Sequence, residues 1–203
     1  MKKCYLILSF LLACLVLPLS SLQAQSDRPN FKLGAKAGLN LFFLPDDAYI
    51  QEADAALGPE VGIFARIGES IYVQPEVNFV SHNTNLITND QPRAGERDQL
   101  VVRYLRVPVL LGYRTDYDGF LASEIRFMIG PSFAYAFDVK DNNLNIQRSD
   151  ITKAQFALNG GVGFELWLLN LDLMYHHGFT EMFNRSDSDS RGRAVSLTVG
   201  AAF

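Results

Sequence analysis

The sequence predicts an all-β protein, an eight-stranded antiparallel up-and-down transmembrane β-barrel. Three observations carry that expectation. Apolar residues alternate with polar or small ones in eight separate stretches, the period-two pattern of a strand with two unlike faces. The connections between the stretches alternate long, short, long, short, long, short, long. The last stretch, Ala194 to Phe203, keeps its alternation to the final residue, although chain ends are normally polar and frayed unless tied down. There Val195, Leu197, Val199, Ala201 and Phe203 share one face, and Ser196, Thr198, Gly200 and Ala202 the other.

The beginning of the chain reads differently. Lys2 and Lys3 precede an apolar run from Tyr5 to Leu17, and Leu22-Gln23-Ala24 offers a small residue before a cut at Gln25. This is the pattern of a secretory signal peptide, and the run is too short for a spanning helix. The expected division is therefore a signal peptide over residues 1–24 and a barrel domain over 25–203. A competing reading takes Leu11-Leu12-Ala13-Cys14 as a lipobox with anchoring through Cys14, which leaves an awkward hydrophobic mature N-terminus. Both cysteines, Cys4 and Cys14, lie in the removed segment. The mature chain would then have no disulfides, thiolate metal sites or cysteine nucleophiles. It keeps 16 basic residues against 22 acidic ones, a net charge of −6, so a nucleic-acid partner is not expected.

The first strand runs from Phe31 to Phe43, with Leu33, Ala35, Ala37, Leu39, Leu41 and Phe43 opposite Lys32, Gly34, Lys36, Gly38 and Asn40. A loop is expected from Leu44 to Ala56, then a strand from Leu57 to Ile67 and a tight turn at Gly68-Glu69-Ser70. The third strand, Ile71 to His82, contains Pro75, which normally marks an edge or a bulge. Asn83 to Asp98 reads as a long loop. The fourth strand is centred on Tyr104 to Arg114 and carries Pro108, taken like Pro75 as the mark of a bulge or kink. After a turn at Thr115 to Gly119, the fifth strand spans Phe120 to Asp138. Val139 to Lys153 is a polar loop, Ala154 to Trp167 the sixth strand, and Leu168 to Asn170 a short turn. The seventh strand sets Leu171, Leu173, Tyr175 and Phe179 against Asp172, Met174, His176 and Gly178. The loop from Thr180 to Arg193 leads to the closing strand.

With no run of about 20 apolar residues, a chain that spans a membrane must do so as a closed barrel. Eight is the smallest even strand number of bacterial outer-membrane barrels, whose periplasmic turns are short and outer loops longer. A soluble, lipocalin-like periplasmic binding barrel would show the same alternation with the apolar face inside. Two features favour lipid. The apolar faces of strands two to eight carry almost no charge across their middles, where one costs about 2–4 kcal/mol. Aromatic residues also gather near both ends, Phe43, Phe79, Tyr135, Phe137 and Phe179 at the loop side and Tyr113 and Phe203 at the turn side, as in two interfacial girdles. The opposite face holds Lys32, Lys36, Arg66, Arg106, Arg114 and Arg126 against Glu60, Glu76, Glu124, Glu165 and Asp172. In so narrow a barrel these charges are expected to pair into a plugged core rather than line a channel.

Several stretches resemble the PorT-like outer-membrane β-barrel family, which has an outer membrane protein beta-barrel domain. They are Tyr104-Leu105-Arg106-Val107-Pro108-Val109-Leu110-Leu111 and Gly160-Gly161-Val162-Gly163-Phe164-Glu165 with Leu171 to Tyr175 and Gly178. Gly34 to Asn40 and Tyr72 to Glu76 are also similar. The resemblance implies an integral protein of the outer membrane, in contact with its lipid and handed to the barrel assembly machinery through the aromatic-ended C-terminal strand. It implies no catalytic motif, no cofactor and no metal, and it is unspecific for activity. One family member is implicated in secretion and gliding machinery. The expected function is thus a non-enzymatic structural or interaction component of the envelope with protein partners, accessory to a secretion or surface machine.

The chemistry-bearing residues are few. His82 and His176 point inward on strands expected on opposite sides of the barrel, where a hydrogen-bonded lumen is the plain reading and a metal or proton site the alternative. His177 points to lipid near a loop holding Ser and Asp. Some eight-stranded barrels are lipid A deacylases or acyltransferases that use such residues, which makes a lipid-modifying enzyme the alternative function. Asp187-Ser188-Asp189 lacks the rest of a calcium loop.

Overall fold

The computed structural model describes residues 31–43, 50–88, 97–116, 124–140, 151–166, 168–181 and 191–203. The expected signal peptide, the lipobox-like segment and Asp187-Ser188-Asp189 lie outside them. Eight strands follow one another: β1 (Phe31–Phe43), β2 (Ile50–Gly68), β3 (Ile71–Thr88), β4 (Arg97–Asp116), β5 (Glu124–Val139), β6 (Ala154–Leu166), β7 (Leu169–Glu181) and β8 (Arg191–Ala202). Each pairs antiparallel with its neighbours, and β8 returns to β1 to close the barrel. The closure is sealed where Leu33 and Phe203 exchange backbone hydrogen bonds of 2.9 and 2.8 Å. No edge is left, so every strand can sit in lipid with its backbone paired.

The faces fall as the alternation predicts. Ile63 is 62% exposed and Ile129 55%, whereas at inward positions of the same two strands Arg66 is 1% and Arg126 0%. The apolar side chains thus form the outer surface and the charges the interior, the inverse of a soluble protein. The lipocalin-like alternative needed the opposite orientation and is overturned.

Strand lengths depart from expectation on one side. β2, β3 and β4 contain 19, 18 and 20 residues, against about 9–11 needed to cross the hydrocarbon. The described parts of the expected loops Leu44–Ala56 and Asn83–Asp98 are paired strand, with Ala55 opposite Thr84 and Asn85 opposite Gln99. The excess stands on the loop side, because the other end of the β2–β3 hairpin is fixed at Gly68. There φ is +122°, a conformation open to glycine, and a Cβ would strike the Ile71 carbonyl.

The prolines are a second correction. Pro75 and Pro108 mark no bulge. Phe64 opposite Glu76 and Ile67 opposite Val73 keep one register on either side of Pro75, and Val107 opposite Phe133 and Leu111 opposite Ile129 do so around Pro108. A bulge needs an inserted residue, whereas proline only removes a donor. The register shifts of the described strands all lie toward the loop side, between Ile50 and Glu52, Ala56 and Glu60, Arg103 and Tyr104, and His177 and Glu181. At the second, Leu57, Gly58 and Pro59 face only Ser81 and His82. Side-chain amides satisfy the carbonyls involved. Asn40 Nδ2 donates to Gly58 O at 3.0 Å and to Ser81 O at 3.1 Å, and Asn83 Nδ2 to Leu57 O at 2.7 Å.

Candidate functional site

Among the described residues, ionisable groups from all sides converge in the lumen, and it is filled from wall to wall. On the turn side the alternation of β1, β2, β3, β5, β6 and β7 sends charged residues inward at similar height. Glu165 on β6 accepts from Lys32 Nζ at 2.6 Å through Oε1 and from Arg66 Nη1 at 2.6 Å through Oε2. Arg66 also donates to Gln74 Oε1 at 3.0 Å, and Gln74 Nε2 to Glu76 Oε1 at 2.7 Å. Glu76 Oε2 takes Lys36 Nζ at 2.6 Å and Asn78 Nδ2 at 2.8 Å. Arg126 Nη2 donates to Asp172 Oδ1 at 2.6 Å. Arg114 closes the bottom, donating through Nη2 to Gly68 O at 2.6 Å and through Nε to Glu69 O. The guanidiniums of Arg66 and Arg114 lie over the Tyr72 ring, 5.2 and 5.7 Å from its centroid, as cation–π contacts. These bonds run from wall to wall, and in a buried setting each charge needs such a partner.

Beside this network Tyr72, Leu110, Met128 and Met174 form an apolar cluster. Next come the two inward histidines, which the structure brings to one arginine. Arg106 Nη2 is 2.7 Å from His82 Nε2, and Nη1 lies 3.5 Å from His176 Nδ1. β3 and β7 do face each other across the barrel, but the lumen is narrow enough for one long side chain on β4 to reach both. The network fixes the tautomers. Asn159 Nδ2 donates to Gly130 O at 2.9 Å, so its Oδ1 accepts from His176 Nδ1 at 2.7 Å. His176 Nε2 then accepts from Ser196 Oγ at 2.8 Å. His82 Nε2 accepts from Arg106, which leaves the proton on Nδ1. Phe42 stacks on the His82 ring at 4.2 Å and Tyr104 tilts against it at 4.8 Å.

A cavity of about 40 Å³ adjoins these residues, lined by Phe42, His82, Arg106, Ser132, His176 and Gln155 among others; that is room for water. Over it sits an apolar cap of Phe42, Leu100, Val102, Tyr104, Ala136 and Ile151. Ile151 belongs to the stretch expected as a polar loop, yet it is 2% exposed, and the chain beside it is held by Ala136 N donating to Lys153 O at 2.8 Å.

Among the described residues no group of three or more His, Asp or Glu is arranged to hold a metal. His177 stands on the outer face as expected, and its neighbours are aromatic. Tyr175 Oη is 3.5 Å from its Nδ1, and the Phe179 ring is 5.3 Å from its own.

The comparisons with known proteins bear on this filled, inverted barrel. A family model described as the outer membrane protein beta-barrel domain matches residues 23–184. The chain belongs to that family. It is an integral protein of the outer membrane. The fold is similar to that of the outer membrane protein OprG from Pseudomonas aeruginosa, at 12% identity over 85% of this chain and 95% of that one, with a TM-score of 0.50. It is also similar to Ail, the attachment invasion locus protein of Yersinia pestis (11% identity, 86% and 100% covered, TM-score 0.48). Neisserial surface protein A is a third (13% identity, 86% and 98% covered, TM-score 0.45). None of the curated proteins matches the sequence. In this outer-membrane barrel the girdle aromatics named from sequence, Phe43, Phe79, Tyr113 and Phe179, are all exposed on the outer face.

Proposed function

We propose that this outer-membrane barrel is a non-enzymatic interaction component of the envelope that binds a protein partner on its outward-projecting wall. The observation that carries the reading is the height of β2, β3 and β4, which exceed the span of the hydrocarbon by about eight residues each while the lumen below them is packed. A filled lumen offers no route for solute, so the working surfaces are the rim and the wall. Paired strands make a rigid platform for recognition, which is where function on such scaffolds concentrates. Within the family, the likeness to PorT-like barrels at Tyr104 to Leu111 and Gly160 to Gly178 supports service as an accessory to a secretion or surface machine. The aromatic-ended β8 supports recognition by the barrel assembly machinery during insertion.

Cysteine variants along Asn83 and Asn85 on β3 and Gln99 on β4, carrying a photo-cross-linker in intact cells, test the reading. One discrete adduct from this wall, absent when the cross-linker sits at Leu171 on the lipid face, is the expected result. In planar bilayers the purified protein is expected to give no steps of conductance. Stable channels, or equal adducts from every face, would overturn it.

A further inference from the structure

Three arginines stand exposed toward the loop-side end of the outer surface: Arg103 on β4, and Arg191 and Arg193 on β8. Two have a protein carboxylate at hand. Arg103 Nη1 meets Asp138 Oδ2 at 3.0 Å, and Arg191 lies opposite Glu181 in the β7–β8 register. Arg193 differs. Its cross-strand neighbours are His177 on β7 and Phe43 on β1, and it forms no ion pair among the described residues. Two positions below Arg193 on the same face are Val195 and then Leu197, opposite Tyr175 and Leu173, an apolar track that runs down into the bilayer.

An outward cation beside girdle aromatics sits at the level of lipid headgroups, where its charge is tolerated and attracts anions. His177 adds a second donor. The approach of Tyr175 Oη to His177 Nδ1, 3.5 Å, suits the tautomer that accepts there and carries its proton on Nε2, and the ring is held by Phe179 at 5.3 Å. We infer that Arg193 and His177 form a seat for the phosphate of an outer-leaflet phosphorylated lipid, whose acyl chains lie along the Tyr175–Val195 and Leu173–Leu197 track. The lipid supplies the counter-charge that Asp138 supplies to Arg103. This gives the outward histidine a binding role in place of a catalytic one.

The full-length barrel, reconstituted in phosphatidylcholine nanodiscs containing either diphosphoryl lipid A or the same lipid without its phosphates, tests this by the lipid that remains bound in native mass spectrometry. The wild type is expected to retain the phosphorylated form over the stripped one. Arg193→Gln is expected to lower that retention about fivefold, the effect of one interfacial basic residue. Arg193→Lys should keep most of it, and Arg103→Gln all of it. Each variant is first checked for the fast-migrating unboiled band of a closed barrel. Equal retention of both lipids by the wild type, or undiminished retention by folded Arg193→Gln, would overturn the inference. A loss in Arg103→Gln as large as in Arg193→Gln would overturn it too, by making the effect one of general charge.

Discussion

At the turn-side end, Glu165 gathers Lys32 and Arg66, Arg126 holds Asp172, and the strands pass Pro75 and Pro108 without a change of register. At the loop-side end every register shift of the described strands occurs, one arginine donates to the His82 imidazole and reaches the His176 ring, and an apolar cap sits over a cavity of about 40 Å³. The same lumen is therefore closed in two ways. Charges that pair across a narrow, regular tube fix the strands relative to one another, because each bond has partners on several strands. Where the strands rise beyond the membrane, bulges reshape the wall and ordinary hydrophobic packing can close it. The regular end supplies rigidity and the irregular end supplies shape.

The largest effect should come from breaking the charged end. Glu165→Ala strands Lys32, Arg66 and, at 3.7 Å, Arg126 Nε without their shared carboxylate. Removing one partner of a buried pair costs about 3–5 kcal/mol, and the expected outcome is a matching fall in stability by urea unfolding from vesicles. Glu165→Gln sharpens the test, since it keeps the volume and loses only the charge. If Gln is as stable as wild type, packing and not ion pairing holds the turn-side end.

The capped end should be softer. Ile151→Ala removes the buried apolar side chain that the returning segment contributes, against Leu100, Val102 and Tyr104. A loss of about 2–4 kcal/mol is expected if the cap is a true core, measured in the same unfolding assay. A loss well below that range would mean that the cap collapses onto its own cavity, and the loop-side end would then be soft in a way the turn-side end is not.

These two ends were unequally legible in the sequence. All eleven lumen charges named from the alternation lie on the inward face, because lipid outside enforces a strict period of two. Beyond the membrane that constraint lapses. Ile50 to Asp54 and Asn83 to Thr88 carry polar residues at odd and even positions alike, so they read as loops although they pair as strands. Ile151 is a single apolar residue in a polar stretch, a signal too small to mark a cap. The approach of Arg106 to both His82 and His176 depends on the width of the lumen, which no local pattern encodes. The pairing of Glu165 with three cations, rather than any other matching of near-balanced charges, depends on the stagger of strands around the barrel.

The smallest expected effect concerns the regularity of the turn-side end itself. Pairing between β2 and β3 lapses opposite Pro75, between Phe64–Glu76 and Ile67–Val73, yet the register is the same on both sides. A proline that defined a bulge would be needed there, and its replacement would let the strands slip and cost stability. A proline that merely withholds one donor leaves the strands where the charged lumen already fixes them. Pro75→Val then restores an N–H to a ladder in a lipid-facing wall, where an unpaired backbone group has no water to turn to. The expected result is a gain of about 1 kcal/mol, with amide exchange at Ala65 and Arg66 slowed and the register of β2 on β3 unchanged by NMR contacts. A loss of stability with a shifted register would show that the proline, and not the ion-pair network, sets the strands at this end. The contrast between the two ends of the barrel would then have to be drawn on backbone chemistry instead of on charge.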